Sequence, residues 1–274
     1  MYAQQVKDYI VQPFIDGVEY SVDALCDFCG NPIYITPRIR LQVRSGEVLK
    51  TEISMDAQII AETKQWPIFY HLSHIRGNIV EWLPITKEDT VLEIGAGCGS
   101  MTGVLAKKAK SVTSIELSKK RSTINATRNQ DCDNVEIMLG NFEEVEKHLE
   151  EKYDFITLIG VLEYGESYIQ AENPHVSFLQ KLGKHLKETG KLIVAIENKL
   201  GMKYWAGCQE DHFGGYFLGI ENYANKKGIR TFAKNELKDI VTEAGFTECE
   251  FYYPYPDYKF PISIYSDEYL PKKG

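Results

Sequence analysis

The sequence contains no long hydrophobic run. No apolar stretch approaches the ~20 residues that a membrane-spanning helix needs. The N-terminal residues MYAQQVKDYI contain no signal-peptide core. These absences argue against a membrane span or a secreted protein, and we expect a cytoplasmic location.

Cysteine is scarce, with six residues scattered over a chain of 274. A chain of this length does not need disulfides to fold, so we expect reduced thiols. Only Cys26 and Cys29 form a C-x-x-C pair, and no second pair or ligand-spaced histidines lie nearby to complete a zinc site. Residues 29–32 are typical of a hairpin turn, which is the prediction here, with metal or redox use as the alternative. No convincing metal motif occurs elsewhere, although residues 210–212 would be the place to look.

Basic residues are outnumbered, with 31 Lys and Arg against 39 Asp and Glu and a net charge of −8. A broad phosphate-binding face would usually make a chain basic. We therefore predict that the partner is not a nucleic acid, although a local basic patch stays open. The hydrophobic content of 43% and the charged content of 26% are typical of a globular protein with one large or two small domains.

The pattern changes near residue 58. Residues 1–58 are β-rich and predict three short strands, too few for an independent core. Residues 59–274 begin with an apolar helical stripe between Pro67 and Pro84 and then alternate strands with helices. The predicted strands are 90–94, 111–116, 134–138, 154–159 and 190–196, with helices near 100–109, 118–129, 142–150, 174–187 and 234–244.

This alternation predicts an α/β fold with a doubly wound, mostly parallel sheet and helices on both faces. Two further strands in the tail after residue 243 are predicted to form a hairpin that closes the sheet edge, for seven strands in all. The β-rich N-terminal segment is a small extension, whose unpaired strand edges suggest a possible homodimer.

The stretch VLEIGAGCGS, residues 91–100, predicts a buried strand that breaks into a glycine loop and then a helix. Gly95, Gly97 and Gly99 let the backbone pass close to a ligand. Dinucleotide-binding turns follow G-x-G-x-x-G, but Ser100 stands at the third glycine position, so a dehydrogenase is disfavoured. The alternative is an ordinary strand-to-helix turn.

Two acidic residues accompany this loop. Glu93 lies two residues before the first glycine, where it suits a cofactor with a cationic amino-acid tail, and its burial requires a partner. Glu116 ends the next strand, where a carboxylate can accept both ribose hydroxyl hydrogens of an adenosine. A solvated strand-end acid is the alternative for Glu116.

These motifs, with LGNFEEV at residues 139–145 and GVLEY at residues 160–164, resemble class I S-adenosylmethionine-dependent methyltransferases over roughly residues 66–265. The resemblance implies S-adenosyl-L-methionine as cofactor and S-adenosyl-L-homocysteine as product. The implied cofactor-binding residues are Glu93, Ile94, Gly95, Ala96, Gly97, Gly99, Glu116, Leu117, Asn141, Phe142, Gly160 and Val161.

Asn141 departs from the family pattern, which usually has an acid at the end of the third strand. Its amide oxygen can still accept a hydrogen bond from the adenine amino group, and Phe142 is a plausible adenine face. Asn141 might equally serve only as a helix N-cap.

Residues at the exit of the fourth strand face the methyl donor and the acceptor. Glu163 and Tyr164 are candidate catalytic residues there. A glycine- and aromatic-rich insert at 198–230 follows the fifth strand and predicts a cap or lid. His212, beside Asp211, is a candidate general base near neutral pH. The candidate substrate-binding residues of the insert are Tyr204, Trp205, Asp211 and Tyr216.

Three aromatic residues of the insert, Tyr204, Trp205 and Tyr216, are expected to form a flat apolar wall. The alternative is a helical cap whose aromatics fill its own small core. The insert is similar to a segment of methyltransferases encoded among surface-polysaccharide genes, which suggests a small-molecule or saccharide acceptor.

Residues 10–47 resemble part of an ATP-grasp ligase of the carbamoyl-phosphate-synthase-like kind, through the residues 12–15, 17–23 and 37–38. The nucleotide-binding lobe and the metal motif of a full ATP-grasp unit are missing. The leading hypothesis is therefore a methyltransferase acting on a small molecule or sugar. The alternatives are a fragment of a fused biosynthetic protein with an ATP-grasp partner, and a non-catalytic cofactor-binding module.

Overall fold

The computed structural model of the protein describes the main chain of residues 20–26, 32–44 and 47–53, and residues 70–271 with their side chains. The chain divides into two compact units, Met1–Ser73 and His74–Gly274. This division falls later than the predicted boundary at residue 58.

The described residues of the first unit form three antiparallel strands in sequential order. They are β1 (Tyr20–Cys26), β2 (Pro32–Arg44) and β3 (Glu47–Ile53). Cys26 pairs with Pro32, which agrees with the predicted hairpin turn. The strand predicted before residue 16 lies outside the described residues, and the ATP-grasp resemblance stays a prediction.

The second unit is an α/β layer structure around five parallel strands, in the order β6-β5-β4-β7-β8. The strands are β4 (Thr90–Ile94), β5 (Ser111–Glu116), β6 (Val135–Leu139), β7 (Tyr153–Ile159) and β8 (Leu186–Ala195). The helices are α1 (Asn78–Glu81), α2 (Thr102–Lys108), α3 (Lys119–Arg128), α4 (Phe142–Val145), α5 (Gly165–Tyr168), α6 (Pro174–Lys184), α7 (Met202–Trp205) and α8 (Lys234–Glu243).

The central strands are near-continuous apolar runs because helices cover both of their faces. One core cluster includes Leu92, Ile156 and Phe178, all almost fully buried. A second cluster includes Val91 and Leu105 from the opposite face. The strand order turns back between β4 and β7, so a crevice for ligands lies at the carboxyl ends of these strands.

The described residues do not form the predicted seven-stranded sheet. The last two strands, β9 (Tyr252–Tyr255) and β10 (Ser263–Ser266), pair only with each other in a separate hairpin. Pro254 lies inside β9, and proline cannot donate a ladder hydrogen bond, which disfavours addition to the main sheet.

The helix predicted between Pro67 and Pro84 is shorter and interrupted in its described part. A 3₁₀ turn at His74–Gly77 precedes the four-residue α1. Among the described residues, no helix has both the length and the apolar character needed to cross a membrane.

Candidate active site

The glycine loop after β4 is a tight left-handed turn. Gly95, Gly97 and Gly99 have φ angles of 70°, 57° and 77°. A Cβ atom on Gly95 would lie 2.4 Å from a Val161 methyl group, and one on Gly99 would lie 2.2 Å from the Asn125 side-chain oxygen. A Cβ atom on Gly97 would meet nothing closer than a carbonyl oxygen at 4.0 Å. Gly97 therefore borders open space, while the other two glycines are closed in by neighbours.

Glu116 lies at the end of β5, with only 3% of its surface exposed. Its Oε2 accepts the Gly97 backbone N–H at 2.9 Å. Its Oε1 accepts the Ser118 N–H at 2.8 Å and the Arg121 guanidinium at 2.7 and 2.8 Å. An acceptor position remains on Oε2, so the carboxylate fits a ribose hydroxyl there. For Glu116 to accept both ribose hydroxyl hydrogens, as predicted, the Arg121 guanidinium would have to move away from Oε1.

Glu93 lies inside the protein, and its expected partners are present. Its Oε2 accepts the hydroxyl hydrogens of Thr102 at 2.6 Å and Ser114 at 2.7 Å. Burial raises the pKa of this carboxyl, against the lowering effect of the two hydrogen bonds. Ile94 and Ala96 beside it are also buried. Glu93 thus ties the loop to α2 and β5.

Three further predicted cofactor-binding residues lie in different surroundings. Leu117, just after β5, is half-exposed and offers an apolar surface. Asn141 caps α4 by accepting the Glu143 N–H at 3.3 Å, which is the N-cap alternative. Phe142 does not present an open face, because it packs in the core with its ring centroid 5.2 Å from that of Phe178.

A cluster of titratable side chains lies beyond the end of β7. Glu163 is 2% exposed, and its Oε1 is 3.7 Å from Nε2 of His212. The other ring nitrogen, Nδ1, lies 2.8 Å from Oε1 of Glu210. Glu210 Oε2 in turn accepts the backbone N–H groups of His212 and Phe213. Tyr164 stands edge-on to the imidazole at 5.6 Å between ring centroids.

The carboxylates control the protonation of this cluster. Burial alone would lower the pKa of His212, but Glu163 and Glu210 outweigh it and raise the pKa to about 10. Burial raises the pKa of the Glu163 carboxyl, although the charge of the neighbouring His212 opposes this. His212 is therefore held as an imidazolium near pH 7, which does not favour the predicted role of a free general base. Glu163 is the better proton acceptor.

Glu197 lies on the same side of the sheet, two residues after β8. It is 4% exposed, forms an ion pair with Lys259, and accepts the Tyr258 hydroxyl hydrogen at 3.4 Å. A Cβ atom on Gly160 would lie 3.0 Å from that same hydroxyl oxygen. The Gly160 backbone, as predicted for this strand exit, therefore borders the site.

Asp211, a predicted substrate-binding residue, has charged and hydroxyl partners within the protein. Burial would raise its pKa, but the ammonium of Lys203 and the hydroxyl of Tyr204 lower it to about 2. Tyr204 is itself buried, with its hydroxyl donating to Asp211 at 2.6 Å. Trp205 and Tyr216 are exposed by 62% and 58%. Tyr204 thus does not join them in a flat wall, because its ring is buried and its hydroxyl is directed to Asp211.

The insert itself is mainly irregular rather than a helical cap. Apart from α7 it consists of turns, and Phe217, Asn222 and Tyr223 have positive φ angles. Its ends are joined by a parallel bridge between Asn198 and Phe232, close to the predicted bounds of 198 and 230. We call this closure the neck of the insert.

Sequence patterns did not identify Lys259, Glu197 and Glu210 as site residues. Lys259 comes from the loop between β9 and β10, about 60 residues from Glu197, and no local spacing indicates that they meet. Glu210 was noted only as a neighbour of His212. Its burial at 3% could be found only from the fold.

A family model described as a methyltransferase domain matches residues 70–249, which is most of the chain. The chain belongs to this methyltransferase family. S-adenosylmethionine is the cofactor of such domains, and the open position at Gly97 with the Glu116 carboxylate fits its adenosine. This confirms the predicted cofactor and the predicted enzyme class.

Curated relatives of this methyltransferase are named ribosomal RNA small subunit methyltransferase A. The relative from Clostridium botulinum is 29% identical over 161 residues, which cover 58% of this chain and 56% of that protein. The probable one from Methanosarcina mazei is 30% identical over 132 residues, which cover 48% and 44%. The chain thus spans about half the length of the curated relatives it matches.

Among solved structures, a putative O-methyltransferase from Nostoc punctiforme matches with a TM-score of 0.51 at 14% identity. The match covers 72% of this chain and 56% of that one, and it shows the shared α/β fold.

The ribosomal RNA relatives contradict the prediction of a small-molecule or saccharide acceptor with no nucleic acid. Net charge averages over the whole chain, while a nucleic acid is recognised by local surface, so the net charge of −8 does not exclude such an acceptor.

Proposed function

We propose that this protein transfers the methyl group of S-adenosylmethionine to an oxygen or nitrogen atom that carries a proton. The observation that carries the proposal is the position of two groups of residues at one sheet edge. The Gly95–Gly99 loop and Glu116 follow β4 and β5, while Glu163 and Glu197 follow the adjacent strands β7 and β8.

The two groups adjoin through Val161. Gly95 packs against Val161, which lies two residues before Glu163, so the cofactor loop and the acid cluster share a wall. Glu116 and the Gly97 position would hold the adenosine, and Leu117 would add apolar surface. The cofactor supplies an electrophilic methyl group, which reacts by in-line displacement once the acceptor is aligned.

The acid cluster would align the acceptor and take its proton. Glu163 Oε2 is buried and has no hydrogen-bond partner, so it is free to receive a proton from an O–H or N–H group. His212 holds the other oxygen of this carboxylate, and Glu210 fixes the ring orientation of His212. Glu163 therefore serves as the catalytic base, with His212 and Glu210 as positioning residues.

Calorimetric titration of S-adenosylmethionine and transfer of a labelled methyl group test the two halves separately. Glu116→Ala should abolish cofactor binding, because the loop loses its acceptor. Glu163→Gln should bind the cofactor normally yet lose transfer by ~10²–10⁴-fold, the usual contribution of a general base. Glu221→Gln, an exposed position of the insert, is the matched control.

Full transfer by Glu163→Gln would refute the assignment of the base. Cofactor binding without transfer to any fraction of a cell extract would leave only a cofactor-binding module.

Ribosomal RNA is the candidate acceptor favoured by the names of the curated relatives. An acceptor base would have to leave its stack to reach Glu163, because chemistry on a base requires extrusion from a helix. Labelled methyl groups should then appear in the RNA fraction of an extract and disappear after ribonuclease treatment. Label that persists after ribonuclease would refute RNA as the acceptor.

A further inference from the structure

Glu163, Glu197 and His212 form a three-ligand cluster that the proposed reaction does not fully explain. One ligand atom from each residue lies within 4.8 Å of the others. Two atoms bound to one first-row metal ion at bond lengths of about 2.1 Å lie roughly 3–4 Å apart. The separation of 3.7 Å between Glu163 Oε1 and His212 Nε2 falls in that range.

The cluster also contains a buried polar atom with no hydrogen bond. Only 2% of the Glu163 surface is exposed, yet no described group donates a hydrogen bond to its Oε2. A buried carboxylate with an oxygen that has no donor is costly, and a cation at Oε1 would offset its charge while Oε2 stays available to the acceptor's proton. The unpaired oxygen of Glu163 thus indicates a cation separately from the proximity of the three side chains.

The imidazole is held as metal-binding histidines are held. Glu210 accepts from Nδ1 at 2.8 Å and is itself fixed by two backbone N–H groups. A carboxylate at one ring nitrogen sets the orientation and tautomer of a histidine whose other nitrogen binds a metal. Nε2 of His212 is the nitrogen turned toward Glu163.

We propose that Glu163, Glu197 and His212 bind a divalent transition-metal ion, such as Zn²⁺ or Mn²⁺, at the acceptor side of the methyl-transfer site. Three protein ligands leave coordination positions open, as in sites where a metal contacts substrate. The ion would hold the acceptor's oxygen or nitrogen beside Glu163, so this inference rests on the proposed function. On binding, Nε2 releases its proton to solvent and its lone pair forms the bond to the metal.

Zn²⁺ and Mn²⁺, each used alone as a probe, test the site by calorimetry and by thermal shift on the full chain. Both should bind one ion per chain, and Mg²⁺ should bind more weakly because a nitrogen ligand suits it poorly. His212→Gln and Glu163→Gln should each weaken Zn²⁺ binding by roughly 100-fold or more, since a ligand is lost. Glu210→Gln should weaken it by about 10–100-fold through the orientation of His212.

His148→Gln is the matched control, because His148 is an exposed histidine outside the cluster. Its Zn²⁺ affinity should equal that of the unchanged chain. Thermal melts without metal, together with the S-adenosylmethionine affinity of each variant, show whether the variants fold.

Folded Glu163→Gln and His212→Gln variants with unchanged Zn²⁺ affinity would overturn the site, as would a chain that binds no transition metal. In both cases intact S-adenosylmethionine binding and methyl transfer by the unchanged chain would leave the proposed function standing. Metal binding by a chain that fails to bind the cofactor would refute the proposed function instead.

Discussion

Gly97 provides a sharp test of the cofactor site, because space lies open where its side chain would be. Its φ of 57° costs a residue with a Cβ about 1–2 kcal/mol. At about 2–4 °C for each kcal/mol in a domain of this size, Gly97→Ala and Gly97→Arg should lower Tm by about 2–8 °C. Both variants should fold, since the nearest atom to the new Cβ is 4.0 Å away.

Gly95→Ala is the matched comparison within the same loop. Its new Cβ adds the same kind of backbone strain, at φ 70°. The same atom would also lie only 2.4 Å from a Val161 methyl group. Overpacking of this kind adds roughly 1–3 kcal/mol, for a total loss of about 2–5 kcal/mol. Thermal melts should therefore rank Gly95→Ala below Gly97→Ala.

Calorimetric titration separates folding from binding. Gly97→Arg should show no S-adenosylmethionine binding, because the arginine side chain fills the cofactor space, while Gly97→Ala should keep weakened binding. A folded Gly97→Arg that binds with unchanged affinity would refute the site assignment. Equal stability of Gly95→Ala and Gly97→Ala would refute the steric argument.

Three further substitutions test the framework around the site. Burial would raise the pKa of Asp154, but Lys187 and other hydrogen-bond donors lower it below 3.8. The Asp154 carboxylate therefore stabilises the folded protein above pH 3.8, and this stabilisation is lost as the pH falls through the lowered pKa. Asp154→Asn should therefore lower Tm at pH 7, with a gap that closes below about pH 4, and a gap that widens in acid would contradict this. Thr102→Val removes a donor from buried Glu93 and should cost about 1–3 kcal/mol in urea unfolding, whereas an unchanged midpoint would show that the hydrogen bond is dispensable. Phe178→Ala, in the core, should cost about 3–5 kcal/mol in the same assay, and a loss under 1 kcal/mol would contradict its placement.

The parallel strands were predictable because their residues carry local information. Val91 to Ile94 and Val112 to Ile115 each begin and end on a β-branched apolar residue, and the observed strands match their predicted bounds within a few residues. The hairpin β9–β10 was also predicted, but its separation from the sheet depends on tertiary packing around Pro254. Periodicity cannot show which edge a strand joins.

The cofactor half of the site was predictable, and the acceptor half was only partly so. Gly97 and Glu116 lie at fixed distances in one strand–loop–helix–strand unit, so spacing indicates their role. The partner of His212 is Glu210 rather than the adjacent Asp211, and Lys259 reaches Glu197 from a distant loop. Such pairings arise from the fold of an irregular segment, where sequence neighbours point in different directions.

The neck between Asn198 and Phe232 has a consequence for engineering the protein. Because the two ends of the insert lie side by side, the chain between them can change length or composition without displacing β8 or α8. His212 and Glu210 belong to that interchangeable piece, whereas Gly97 and Glu116 belong to the sheet. If the proposed acceptor site is right, a graft exchanged at the neck that keeps His212 and Glu210 should give the protein a new acceptor preference and leave its methyl donor the same.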